Sequence, residues 1–207
     1  MQALREAFTP PLLQSIKLLM NTRLGFSTDR DPKKWKGKGT VQVYDDDTIR
    51  DVLIEGALHG AHWAGNEINI IAGGLYLTRE FYERVFTELP QVDHVAPPAL
   101  GFPKRIQIKG DDNVYAEVNA RLEYEVDGKK AVTDCSGTKA IRVRWNAGMT
   151  IDGIHGKLRK RLYKRAYEQV TGCVFEERDE EGVIEGELVT SEDEVQVIDP
   201  LYGVAER

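Results

Sequence analysis

Apolar residues along this chain of 207 recur with two different periods, and the alternation between the two outlines its elements. Leu12, Leu13, Ile16, Leu19 and Met20 stand at helical spacing behind Pro10 and Pro11, which suit a first helical turn, so a short helix is predicted over 11–20. Residues 22–40 hold almost no period and are rich in Gly and Lys, the pattern of a mobile loop. Asp47 is a good N-cap for a helix reaching about residue 58, with Ile49, Val52, Leu53, Gly56 and Ala57 as its buried face and His59 and Gly60 as its end. Two short apolar strands follow at 68–72 and 75–77, hinged at Gly73 and Gly74. Thr78 then opens a helix carrying Phe81, Tyr82, Val85, Phe86 and Leu89, which Pro90 stops.

From 114 to 126 the period is two. Val114, Ala116, Val118, Ala120, Leu122, Tyr124 and Val126 face one way and Glu117, Asn119, Arg121, Glu123 and Glu125 the other, which predicts one long antiparallel strand with a wet face. Asp127-Gly128 is a type I′ hairpin signal that turns the chain back into 130–133. Residues 139–145 alternate again, Ile141, Val143 and Trp145 against Arg142 and Arg144, so the sheet presents bases on an exposed side. At about 100° per residue, Ile151, Ile154, Leu158, Leu162, Ala166 and Val170 make one stripe of a closing helix that Gly172 is placed to end. Lys157, Lys160, Arg161, Lys164 and Arg165 fall on the opposite arc and Arg159 at its border, predicting a helix apolar inside and cationic outside. The fold class expected is α+β: antiparallel hairpins packed with helices, a closing basic amphipathic helix and an acidic C-terminal tail. Three regions are expected: 1–40, an N-terminal helix and basic loop; 41–175, the core; and 176–207, the tail.

Charge sharpens this picture. The chain is net −6, yet residues 176–207 hold twelve acids against two bases, leaving 26 bases against 22 acids in 1–175. A cationic helix beside an anionic tail suits a polyanion such as a nucleic acid backbone. Within the tail, Val183, Ile184, Leu188, Val189, Val195, Val197 and Ile198 are apolar enough to add edge strands, so an unstructured tail and an attached hairpin both stay open. No apolar run approaches the roughly 20 residues of a membrane span, and residues 1–9 lack the basic and apolar regions of a signal peptide, so a soluble, cytoplasmic protein is expected. Cys135 and Cys173 form no CxxC pair, which points to reduced thiols rather than a disulfide or zinc framework.

Bases cluster with aromatics at Lys139, Arg142, Arg144 and Trp145 and again at Lys33, Lys34, Trp35 and Lys36, the interleaving that single-strand binders use to stack bases beside phosphate contacts. No helix-turn-helix, zinc finger or RNP signature is present, so single strands held without sequence preference fit better than duplex read through a groove. Enzymatic signals are thinner. His59 and His62 with Glu67 lack a convincingly spaced third metal ligand. Asp45, Asp46 and Asp47 would suit a metal-dependent nuclease, but three acids before a helix are more cheaply explained by capping and the helix dipole. Asp111 and Asp112 read as turn residues, and Gly73-Gly74 lacks the context of a phosphate loop.

The order of these elements resembles a known family. A helix ending in a Gly-containing turn (51–60), the apolar hairpin Gly65-Asn66-Glu67-Ile68-Asn69-Ile70-Ile71-Ala72-Gly73-Gly74-Leu75-Tyr76-Leu77, a helix entered by Thr78-Arg79-Glu80-Phe81, a long strand pair and the basic helix Gly153 to Ala166 are together similar to the core of the phage single-strand annealing recombinases of the RecT/Redβ kind, over roughly 47–172. The resemblance implies an ATP-independent, non-catalytic protein without cofactor. Its subunits would assemble as rings or helical filaments, holding a single strand and the annealed duplex intermediate in a bacterial host cell. It implies DNA-backbone contacts at Lys157, Arg159, Lys160, Arg161, Lys164 and Arg165, so a variant with Lys160, Arg161 and Lys164 charge-reversed is expected to fold and lose binding. An exonuclease or a host single-strand binding protein is the implied partner, although the longer C-terminal region through which some members meet an exonuclease has no obvious counterpart here. The helix at 11–20 is a candidate subunit contact, or packs on its own core. Two other classes stay open: a metal-dependent nuclease using 45–47 and Glu67, and a protein-interaction module whose basic helix meets another protein.

Overall fold

The computed structural model describes residues 2–35, 39–146, 148–175 and 195–197, which fall into two compact units. In the first, ending at Phe81, α1 (Gln2–Ala7) and α2 (Pro10–Lys17) precede β1 (Ser27–Thr28), α3 (Asp46–Leu58), β2 (Ile68–Ile71) and β3 (Gly74–Leu77). β1 runs parallel to β2, β2 and β3 form an antiparallel hairpin in which Ile68 faces Leu77, and α3 packs on both hairpin strands. Phe26, Ile49, Leu53, Ile54, Ile68 and Ile70 are fully buried. Gly56 lets α3 approach closely: a Cβ there would lie 2.5 Å from Ile68 Cδ1. The helix is capped by Asp45, whose carboxylate accepts the Thr48 N–H, two residues earlier than the predicted Asp47, and Ile54 rather than Ala57 completes its buried face. α2 ends at Lys17, earlier than predicted; only Leu13 and Ile16 of its stripe are buried, while Leu12 is exposed. The hairpin turn is Ala72-Gly73, both at positive φ, one residue ahead of the predicted Gly-Gly hinge. It is braced by Asp29, within the expected loop, and by Tyr44: the Ala72 N–H donates to Asp29 and the Gly73 N–H to Tyr44 Oη, whose hydroxyl donates to Asp29.

The second unit begins at Tyr82, inside α4 (Arg79–Thr87). Its sheet strands are β4 (Val92–Asp93), β5 (Ala99–Leu100), β6 (Lys104–Ile108), β7 (Val114–Val118), β8 (Ala120–Val126), β9 (Lys129–Cys135) and β10 (Ile141–Arg144), all paired antiparallel. α5 (Ile151–Thr171) and β11 (Val195–Val197) follow. The predicted long strand over 114–126 is two strands broken at Asn119. β7 lies between β10 and β6, while β8 lies between β9 and the short β4 and β5. Asn119 is a junction because its neighbours bulge on both sides. Residues 136–140 stand opposite it alone, and Gly101, Phe102 and Pro103 stand opposite Val118 and Asn119. The Asn119 carbonyl accepts the Gly101 N–H and its side-chain oxygen the Gly137 N–H, so each bulge is tied to it. The Asp127-Gly128 turn has both residues at positive φ, as type I′ requires, and feeds β9, which is longer than the predicted 130–133.

α5 lies across β8, β9 and β10, with Ile154, Leu158, Leu162 and Ala166 fully buried, its N-terminus capped by Thr150 and its end marked by Gly172 at φ +70. Its other arc is covered too. Lys160 and Lys164 are only 4% and 5% exposed, and Tyr163 is buried between them. On that side the Lys160 Nζ lies 5.8 Å from the centre of the Tyr82 ring, Phe86 packs against Tyr163 and Tyr124, and Phe175 meets Tyr82 and Tyr167. The predicted helix with a wholly cationic outside is therefore corrected. It is a central helix packed on aromatic rings as well as on the sheet; Lys160 lies over the Tyr82 ring and Lys164 is buried instead of reaching into solvent. Of the expected tail, Val195–Val197 is an edge strand antiparallel to β6; the rest of 176–207 lies outside the described residues. No helix among the described residues is long and apolar enough to cross a membrane.

Candidate nucleic-acid interface

Two arginines of α5 leave its buried arcs along one flank and reach the β9–β10 junction. The Arg161 guanidinium donates to the Arg142 carbonyl, and that of Arg165 donates to the Lys139 carbonyl at 3.1 Å and lies 3.4 Å from Cys135 Sγ. Lys139 sits in the 3-10 turn Gly137–Lys139 that forms the bulge opposite Asn119, and both Lys139 and Arg165 are exposed. Arg161 and Arg165 thus meet the backbone at Arg142 and Lys139 on one rim, where the helix reaches a sheet edge. Arg142 is half-buried and is met by Glu117 at 3.0 Å. Directly opposed residues share a face, so Lys104, Glu117 and Arg142 form a row across β6, β7 and β10, with two bases to one acid. In the next row Arg144 lies opposite Tyr115. The Tyr115 hydroxyl donates to Asp111 at 2.6 Å; that bond, the Asn113 N–H and the Arg144 charge hold the Asp111 carboxyl below its usual range.

Elsewhere the sheet is charge-balanced. Over β8 and β9 a shallow groove of about 300 Å³ is lined by Arg121 and Lys130 but also by Glu123 and Glu125, which gives a phosphate backbone no net attraction. The basic character therefore concentrates around the Asn119 kink.

The remaining predicted residues lie elsewhere. Lys160 and Lys164 are buried and leave the proposed contact set. Lys157 and Arg159 are half-buried, and the Arg159 charge opposes burial and Glu83 in setting the Tyr163 hydroxyl, which burial raises above its ordinary value. Trp145 is half-buried, its backbone N–H donated to Val114. Lys33, Lys34 and Trp35 belong to the first unit and are exposed, Trp35 at 44%, with Asp31 accepting the Lys33 N–H and lying 4.0 Å from the Lys34 Nζ; Lys36 lies outside the described residues.

Sequence reasoning missed Phe102, Lys104 and Arg105, all exposed, in and after the bulge beside Asn119; Phe102 is 66% exposed. The signal was present: Phe102-Pro103-Lys104-Arg105 sets an aromatic next to two bases, with no period that would bury it.

The alternative metal site does not assemble. Asp45 caps α3, Asp46 meets Lys17 and Gln14, and Asp47 meets Arg50, so the three carboxylates serve different partners. Glu67 accepts the His62 backbone N–H at 2.8 Å, with the His62 ring 3.5 Å away. Among the described residues no group of three His, Cys, Asp or Glu is placed to hold a metal ion. Compared with known proteins, the chain matches no family model, no curated protein and no solved structure.

Proposed function

We propose that this protein grips single-stranded DNA by its backbone and anneals complementary strands without ATP, acting as a ring- or filament-forming homo-oligomer in phage recombination within the bacterial cytoplasm. The observation that carries the reading is that Arg161 and Arg165 meet the backbone at Arg142 and Lys139 on one rim, beside the exposed Phe102 and the bases Lys104 and Arg105. Phosphate contacts hold a strand without reading it, and an exposed ring accepts the face of any base. Specificity then comes from base pairing with the second strand, so nothing in the protein has to recognise sequence or break a bond. A rim of four cations is short against a long strand, which favours many copies in line. An exonuclease or host single-strand binding protein fits as the partner that supplies or clears the strand.

The test mixes the full chain with two complementary oligonucleotides, no ATP present, and follows annealing by fluorescence and complex size by electron microscopy. Accelerated annealing with large assemblies is expected in the wild-type protein, and Lys139→Ala with Arg165→Ala slows it. Unchanged annealing rates, or cleavage that depends on added divalent metal, overturn the reading, the latter in favour of an enzyme.

A further inference from the structure

β9 pairs only with β8 among the described strands, so its other edge carries no ladder. The two-residue Asp127-Gly128 turn fixes which groups lie along it. Val126 and Lys129 close the hairpin as a hydrogen-bonded pair, so the N–H and C=O groups of Lys130, Val132 and Asp134 point away from β8. The Gln169 Nε2 lies 3.5 Å from the Val132 carbonyl, the limit of a hydrogen bond, and leaves that oxygen a second lone pair. The side chains of the same three residues share the exposed face of the strand, Val132 at 38%, while Thr133 and Cys135 between and beyond them are buried. β9 is seven residues long and contains no proline, so its backbone is open to a further strand.

We infer that β9 pairs antiparallel with β9 of a second copy of this chain, about a two-fold axis through Val132, so that the two sheets join edge to edge. The charges select this occupant. Centred on Val132, the register sets Lys130 of each copy opposite Asp134 of the other and Val132 opposite its own counterpart, and each such pair exchanges two backbone hydrogen bonds. On the same face β8 already sets Arg121 opposite Asp134, Glu123 opposite Val132 and Glu125 opposite Lys130, with Arg121 and Glu123 ion-paired at 3.1 Å. Across the axis the row therefore reads Arg121, Asp134, Lys130, Glu125, alternating in sign, and the two-fold repeats it. Neighbouring registers lose this match: centred on Ala131, Lys130 faces Val132, and centred on Thr133, Asp134 does. Charges on an edge ordinarily turn foreign strands away, and here they admit the one sequence that neutralises them. The face that offers a phosphate backbone no net attraction is thus complementary to itself. None of its residues belongs to the proposed DNA rim, so the pairing stands apart from DNA binding. A two-fold contact closes at two copies, and a ring or filament needs a further contact to join the pairs.

The experiment follows the mass of the full chain, without DNA, by sedimentation at about 1 to 100 µM, and the exchange of single amides by NMR. The wild-type chain is expected to associate as its concentration rises, and the Lys130, Val132 and Asp134 amides to exchange more slowly as it does. Lys130→Glu sets carboxylate against carboxylate at both ends of the new ladder, and Asp134→Lys sets ammonium against ammonium. Each variant alone is therefore expected to associate roughly tenfold more weakly than wild type. Both positions are exposed, and circular dichroism checks that each variant folds. Mixed in equal amounts, the two variants bring opposite charges together at both ends, and association is expected to return most of the way to the wild-type level. A wild-type chain that stays monomeric at the highest concentration overturns the inference and leaves the edge to a strand of another protein. Association that both variants keep, or that their mixture does not regain, overturns it in favour of a different contact between copies. With no oligonucleotide in any arm, either failure leaves the DNA-binding reading to its own test.

Discussion

Lys160, with its Nζ 5.8 Å from the centre of the Tyr82 ring and only 4% of its surface exposed, sits over the ring's negative face in a desolvated place. Reversing that charge sets a carboxylate against the same ring in a desolvated place. Lys160→Glu is therefore expected to lose about 3–5 kcal/mol of stability, the range for a buried charge stripped of compensation. Lys160→Met, which keeps the stem, is expected to cost clearly less, about 1–2 kcal/mol. Urea denaturation followed by fluorescence measures both, and equal midpoints for Lys160→Glu and wild type would show the site to be solvated. The triple charge reversal of Lys160, Arg161 and Lys164 is consequently no clean probe of binding, because two of its three positions are core. The arc that carries these lysines also carries Tyr163 and Tyr167, and that was legible: two tyrosines four apart on a supposedly wet face signal packing. A cationic count alone could not separate a lysine lying along aromatic rings from one reaching into solvent.

At the scale of elements, the period of two over 114–126 located every buried position from Ala116 to Tyr124 but was blind to the break at Asn119. Alternation reports which face a residue takes and says nothing of which neighbour pairs with it. The break is imposed from outside, by the bulges at 101–103 and 136–140, so it was not written in the strand's own pattern. The rim inherits this blindness: Lys139, Arg142, Arg161 and Arg165 were each singled out, yet only the fold joins them, through backbone carbonyls that no side-chain pattern reveals. Turns were more legible, and Asp111, which with Asp112 reads as a turn residue, supplies the chemistry of one. The Asp111 carboxylate ties Tyr115 to the β6–β7 connection, and its carboxyl is depressed first by the Tyr115 hydroxyl and then by the Asn113 N–H. A depressed folded value means stability that is present above the unfolded carboxyl value, about 3.9, and lost as pH falls through the lower folded one. Asp111→Asn is thus expected to melt below wild type at pH 6, with the gap in Tm constant down to about pH 4 and closing beneath it. Melting curves at stepped pH measure this, and a gap that widens in acid would reject the assignment.

For the whole molecule, net charge and local charge argue in opposite directions, and salt decides between them. On the proposed binding, a chain of net −6 would be repelled from DNA at long range, while the bases of the rim would attract the strand within a few ångströms. Binding through that rim releases counterions, at about 0.7 per phosphate contact for single strands, so four contacts predict a slope of log affinity against log salt near −3 per subunit. Lys139→Ala with Arg165→Ala removes two exposed cations and is expected to bring the slope to about −1.4. Phe102→Ala takes away a stacking surface without a charge. It should weaken binding by about 1–3 kcal/mol per stacked base while leaving the slope where it was. Anisotropy titrations across a salt series separate the two kinds of contact. A slope that the double substitution leaves untouched would move the strand away from this rim and toward the other exposed cluster, Lys33, Lys34 and Trp35.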